Sequence, residues 1–170
     1  MKTQTQMKIL MIIIALFGRL IPHPFNMAPT VAFAARSGQL FKRQHALLIS
    51  LGGFFLADVI LALWQHHAVF GSWSVFTYSA LAAMTYCAQT TAQWSRSSQW
   101  LFVVGSSLGF WLWTNFGCWL SMPEYPFSLA GLLTCYARAL PFLSSQLLGD
   151  SLWFIGILAA TAQIKQRQTA

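Results

Sequence analysis

Long apolar runs joined by short polar or proline-broken connectors constrain this chain more than any motif does. Ala46–Trp64 carries one charged residue, Asp58, and Gln99–Leu120 carries none. About 20 predominantly apolar residues in a helix are what a bilayer crossing needs. The composition agrees with that reading. Of the 170 residues, 56% are hydrophobic and 8% are charged, and the mean hydropathy is +0.57. A soluble domain carries about 25% charged residues. A water-soluble fold could not hide this much apolar surface, so the expected solvent is lipid. The expected fold is an all-α integral membrane protein, a single domain over residues 1–170, with six transmembrane helices.

The six spans are expected over residues 7–21, 27–41, 46–64, 70–92, 99–120 and 141–164. Lys2 and Lys8 precede the apolar run Ile9–Phe17 much as in a secretory leader. No small-x-small cleavage site follows directly, and five further apolar segments do, so a retained first helix is expected. Arg19 at its end is expected to snorkel to the interface or to face a polar cavity. The connector P-H-P-F-N-M-A-P, residues 22–29, cannot be a regular helix, because two X-Pro steps flank His23. It reads as a stiff loop suited to lie over a site, with Asn26 as cap of the second helix. On that helix Ala28 and Ala32 are four apart on one face, the small-xxx-small spacing that lets another helix approach closely.

The net charge of +7 does not point to nucleic acid, because the basic residues are scattered between apolar runs and form no patch on a soluble scaffold. Topology explains them better. Lys2, Lys8, Arg36, Lys42, Arg43, Arg96, Lys165 and Arg167 fall at the N-terminus, in two connectors and at the C-terminus, leaving Arg19 and Arg138 for the other side or the interior. The positive-inside rule then puts both termini in the cytoplasm, which an even number of spans requires.

Enzymatic motifs are absent. The sequence has no G-x-S-x-G, no H-E-x-x-H, no paired acids at useful spacing and no nucleotide-binding G-x-x-x-x-G-K-[ST]. His66 and His67 are adjacent and so point apart on a helix. The three cysteines, Cys87, Cys118 and Cys135, form no C-x-x-C and suggest no disulfide framework. One acid lies well inside an apolar run. Asp58 is a functional candidate by its depth, or else a structural hydrogen-bonding group. The stretch Trp113–Asp150 collects Asn115, Glu124, Tyr125, Tyr136, Arg138 and three prolines. It reads as a lid and wall closing against residues 22–29 over an outward-facing, mostly apolar pocket, with a Glu124–Arg138 pair as the alternative.

Several stretches resemble one bacterial family. They are G-R-L-I-P-H-P-F-N-M-A-P (18–29), L-A-D-V-I-L (56–61), T-N-F-G-C-W-L (114–120), Y-P-F-S-L-A-G-L-L-T-C-Y-A-R-A-L-P-F (125–142) and L-L-G-D (147–150). Together they are similar to the substrate-binding S components of energy-coupling factor (ECF) transporters, small six-helix proteins of the bacterial inner membrane. Within that group the chain resembles the BtuM-type cobalamin transporters. That resemblance implies a membrane cysteine ligating the cobalt of cobalamin and assisting removal of its upper ligand, with Cys87 in M-T-Y-C-A-Q (84–89) as the matching position and Cys118 and Cys135 as rivals. It also implies that Ala28 and Ala32 dock on an ECF-type transmembrane and ATPase module.

The expected function is therefore binding of a vitamin-like cofactor for uptake, with cobalamin first. Cys87, His23, Asn26, Tyr86, Asn115, Tyr125, Tyr136 and Arg138 are the expected ligand-binding residues. No intrinsic cofactor is expected, and any enzymatic activity would be limited to thiolate-assisted removal of the cobalamin upper ligand. Two alternatives stand beside this. One is an S component for another vitamin or base, in which no cysteine matters. The other is a structural or assembly protein of the membrane with no substrate.

Overall fold

A computed structural model describes residues 2–22 and 26–167, apart from the side chain of Lys2. Six α-helices account for most of them: α1 (Lys2–Leu20), α2 (Thr30–Leu40), α3 (Arg43–Gln65), α4 (Ser74–Ala88), α5 (Arg96–Ser121) and α6 (Leu129–Gln166). A 3₁₀ turn, Gln89–Thr91, follows α4, and no strand occurs among the described residues. The all-α expectation is met. Three of the helices, α3, α5 and α6, are long and apolar enough to cross a membrane.

The helices form a ring with one helix on its axis. α1, α3, α4, α5 and α6 each touch the next, α6 returns to α1, and α2 touches all five. Sequence explains the central place of α2. T-V-A-F-A-A-R-S-G-Q-L is short and rich in small residues, so neighbours can crowd it on every side, and Val31 through Gly38 are all buried. At Gly38 the approach is closest: a Cβ there would run into the Thr85 carbonyl oxygen and the Ala88 side chain of α4. Around the axis, Met7, Met11 and Ala15 of α1 pack with Phe33, Ile49 and Ile157, while Ala32 and Ala35 pack with Val103 and Phe154.

The outside of the ring is apolar. Ile9 and Phe17 on α1, Leu63 on α3, Val75 on α4, Leu101 on α5 and Ile155 on α6 are all exposed. A ring with greasy residues on its outer face and a packed axis is the pattern of helices solvated by hydrocarbon.

Element boundaries depart from expectation at several points. α1 begins at Lys2 rather than residue 7, and α2 begins at Thr30 rather than Met27. α4 begins at Ser74 and ends at Ala88, inside the expected limits of 70 and 92. The largest difference is α6, which starts at Leu129 and runs through Pro141, where a new helix was expected to begin. Proline lacks an N–H and normally breaks a helix, but packed neighbours can re-satisfy the backbone near it. Here α5 holds this part of α6 in place by packing and by bonds in both directions: the α5 indole of Trp111 donates to the Ala139 carbonyl at 3.0 Å, and Tyr136 Oη of α6 donates to the Leu112 carbonyl of α5 at 2.8 Å. The true start is capped by Ser128, whose hydroxyl accepts from Gly131 N at 3.1 Å.

The lid expected over Trp113–Asp150 is consequently wall rather than loop. Trp113–Ser121 completes α5, Leu129–Asp150 belongs to α6, and only residues 122–128 connect them. Arg36, expected in the connector that follows the second span, instead lies within α2 and is 5% exposed. Its guanidinium donates to Gln39, Gln99 and Thr161.

Candidate functional site

The site follows from the length of α2. Eleven residues make a helix about 16 Å long, roughly half the thickness of a bilayer core. α2 therefore fills the axis of the ring at one end and leaves the other end hollow. The hollow is a cavity of about 860 Å³. Its floor is Ala28 and Thr30, where the chain enters α2. α1 contributes Arg19 and Leu20, α3 contributes Phe54, Leu61, Trp64 and Gln65, and α5 contributes Phe110, Trp111, Thr114, Asn115 and Cys118. Thr77 of α4, Gln146 of α6 and Ile21, Pro22 and Asn26 of the first connector complete it. The C-terminal ends of α1, α3 and α5 surround its mouth. Arg43, Arg96 and Lys165 lie at the opposite end of the bundle, at the starts of α3 and α5 and the end of α6.

Two polar clusters shape the hollow. The first is in its wall. Arg19 Nη2 donates to Asp58 Oδ1 at 2.6 Å, and Tyr78 Oη donates to Asp58 Oδ2 at 2.7 Å. The Arg19 guanidinium also lies 3.8 Å above the centre of the Phe54 ring, a cation–π contact. Arg19 Nε is buried with no partner. A second cavity of about 320 Å³ lies behind this cluster and shares Arg19, Phe54, Leu61 and Thr77 with the first. An arginine and an aspartate facing each other inside an apolar ring satisfy one another, which is how such groups are tolerated there.

The second cluster fixes the floor. α2 starts after Pro29, with no side chain of its own to cap it. Asp150 of α6 does this instead. Its Oδ1 accepts from the backbone N–H groups of Val31 and Ala32, both at 3.1 Å, and its Oδ2 accepts from Ser107 Oγ at 2.7 Å. Asp150 is 1% exposed, so the orphan donors of the α2 N-terminus are satisfied by a buried carboxylate on another helix. Beside it the Trp153 indole donates to the Met27 carbonyl at 2.8 Å, and Gly149 lets Met27 approach so closely that a Cβ would collide with its backbone.

The expected site residues divide. Asn26, Asn115 and Ala28 line the cavity. Asn26 does not cap α2, which starts four residues later; it adopts a left-handed conformation with φ 60°. His23 lies outside the described residues. Tyr86 and Cys87 are exposed near the end of α4, at the end of the bundle away from the cavity, with Arg43 lying 4.4 Å over the Tyr86 ring. Cys87 therefore does not join the other expected ligands, whereas Cys118 stands in the cavity wall. Tyr125, Tyr136 and Arg138 do not line the cavity: Tyr136 packs on Trp111 of α5, apart from the other two. Arg138 lies 5.8 Å from the Tyr125 ring, in place of the alternative pairing with Glu124. Ala32 is wholly buried beside Val103 and Phe154, while Ala28 lies before α2 at the cavity floor, so the two do not share one exposed helix face.

Sequence reasoning missed Gln146, Thr30, Thr77 and Asp150. Asp150 ends the L-L-G-D stretch. Its glycine and acid next to a Trp at 153 are the signal that a close, hydrogen-bonded approach occurs there.

Fold and cavity together define the class: an all-helical membrane protein with a cavity opening at one end of its bundle. The match to a family model covers residues 1–170, and the chain belongs to that family, DUF6580, a family of unknown function. No curated protein and no solved structure matches it.

Proposed function

We propose that this protein is a membrane-embedded binding component for uptake of a vitamin-like molecule, with all six helices in the bacterial inner membrane and both termini in the cytoplasm. The observation that carries the reading is the cavity of about 860 Å³, walled mainly by aromatic, aliphatic and uncharged polar side chains with Arg19 among them, at the end of the bundle opposite the basic connectors. Ligand sites are typically concave, mostly apolar and furnished with a few placed polar groups. The positive-inside rule puts the basic end in the cytoplasm, so the cavity would open outward. The exposed apolar side chains on α1 and α4 support counting those helices among the spans. The likeness to ECF-type S components in the sequence supports the same assignment, and an ECF-type transmembrane and ATPase module would then energise release. Such a module would dock elsewhere than on the buried Ala32.

In the cobalamin form of the reading, the thiolate donor passes from Cys87 to Cys118, the thiol in the cavity wall. A thiolate is a suitable soft ligand for cobalt.

Whole-cell accumulation of labelled vitamins, cobalamin included, tests both. Cells carrying the protein are expected to accumulate at least one of them above cells without it, and Ala28→Trp, which fills the cavity floor, is expected to abolish the gain. Accumulation of none, or full accumulation by Ala28→Trp, would overturn the assignment. If cobalamin is the one taken up, Cys118→Ala is expected to lose the spectral shift of the bound cobalt and Cys87→Ala to keep it.

A further inference from the structure

We infer that a second hollow, at the basic end of the bundle, binds the phosphate group of an anionic phospholipid. It lies at the opposite end from the cavity described above and does not depend on the uptake role. Its volume is about 640 Å³. Gln39 of α2, Lys42, Arg43 and His45 around the start of α3, and Gln89 of the 3₁₀ turn line it.

Charge balance points there first. The chain has ten Lys and Arg residues against three acids, Asp58, Glu124 and Asp150. Asp58 is engaged by Arg19 and Tyr78, and Asp150 by the start of α2 and Ser107. Glu124 sits in the connector 122–128, at the other end of the bundle. No acidic side chain is left for the cations of the hollow. Arg43 has neutral partners instead: its Nε donates to Gln89 Oε1 at 3.4 Å, and its guanidinium lies 4.4 Å over the Tyr86 ring. These contacts orient the guanidinium and leave its charge uncompensated.

A further positive charge stands behind the hollow. Arg36 is 5% exposed, and its Nη1 donates at 2.7 Å to Gln39, one of the lining residues. Its Nε is buried with no partner among the described residues. A buried cation without a counter-charge is costly. An anion seated in the hollow would offset part of that cost.

Depth favours a lipid as the source of the anion. α3 is long and apolar enough to cross a membrane, and it begins at Arg43. Tyr86 and Trp94 are half exposed close by in the chain to Gln89. Tyr and Trp rings gather at the headgroup level of a bilayer. The first turn of α3 carries no side-chain cap, so the positive end of its dipole adds to the field of Lys42 and Arg43. Basic pockets between membrane helices at this depth hold anionic headgroups, and a guanidinium fork matches phosphate oxygens.

Native mass spectrometry of the purified full-length protein tests this, after equilibration in detergent with an equimolar mixture of phosphatidylglycerol and phosphatidylcholine. Phosphatidylglycerol is expected to be retained about tenfold over phosphatidylcholine, the scale set by two basic side chains near an anionic headgroup. Lys42→Gln with Arg43→Gln is expected to bring the ratio to about one with the unfolding midpoint held, since both side chains are exposed. Lys42→Gln alone, which leaves the Arg43 contacts intact, is expected to lower it about threefold, roughly the share of one basic side chain. Lys165→Gln with Arg167→Gln removes the same charge outside the hollow and is expected to keep the ratio. Equal retention of the two lipids by the unaltered protein overturns the inference, and so does a ratio indifferent to Lys42 and Arg43. An equal fall in both double variants assigns the preference to diffuse charge and overturns the hollow as its site. Inorganic phosphate and glycerol 3-phosphate, each in large excess, are expected to leave the bound phosphatidylglycerol in place. Displacement by either assigns the hollow to a soluble phosphate and overturns the lipid.

Discussion

Asp150 shows how much one side chain can carry in this protein. Its carboxylate holds two backbone donors of α2 and one hydroxyl of α5, and it does so from a helix 119 residues away in sequence from Val31. Asp150→Ala leaves the two N–H groups buried and unpaired, so a loss of about 2–4 kcal/mol is expected from the cost of orphaned donors. Asp150→Asn keeps an oxygen for Val31 and Ala32 and turns an amide toward Ser107, whose hydroxyl can accept. About half the loss is expected there, since only the charge at the helix terminus is removed. Unfolding midpoints in detergent measure both. Equal losses for the two variants would mean that the charge, not the capping geometry, matters. The contrast with Asp58 explains what could be read in advance. Asp58 sits in the middle of an otherwise apolar run, and its isolation marked it. Asp150 lies in a stretch already rich in polar residues, and its partners are backbone N–H groups, which have no identity in a sequence.

At the level of helices, the apolar runs of α3 and α5 were legible because nothing in them competes with membrane helix formation. Two elements were not. Pro141 marked a helix start by local rules, yet α6 runs through it, tied to α5 by the Trp111 indole on Ala139 and the Tyr136 hydroxyl on Leu112. α2 looked like an ordinary span with a docking face, because small-residue spacing is the same whether the neighbour belongs to this chain or to another. Its tight packing makes a prediction about glycine. Gly38→Ala would push a methyl group into the Thr85 carbonyl and Ala88, and a cost of about 1–3 kcal/mol is expected from overpacking. Gly105→Ala on α5 meets nothing within 4 Å. It is expected to be neutral or to stabilise by about 0.5–1 kcal/mol through the helix preference for alanine. The difference in unfolding midpoint between the two variants checks the axial position of α2.

For the molecule as a whole, the separation of charge and cavity sets an expected orientation. The connector 122–128 and the mouth of the hollow lie at one end, and Arg96 at the start of α5 lies at the other. With Cys87, Cys118 and Cys135 replaced by serine, a cysteine placed by Glu124→Cys is expected to react with an impermeant maleimide added outside intact cells. One placed by Arg96→Cys is expected to react only after the cells are opened. The opposite pattern would point the cavity at the cytoplasm. The general architecture was legible from composition alone, since so few charges leave only a lipid-solvated helical bundle. The position of the cavity was not, because it is set by a difference in length between an axial helix and its ring, which no local pattern records.

The clasp between α6 and α2 also bears on the order in which the protein is made. α2 emerges early from the ribosome as 11 residues with an arginine among them and no side-chain cap of its own. Such a segment is too short to be held stably across a bilayer, and its first amides find Asp150 only when α6 arrives. The floor of the cavity is therefore expected to be fixed only after α6 has been made, so the axis of the bundle is completed later than the α1–α5 part of the ring around it.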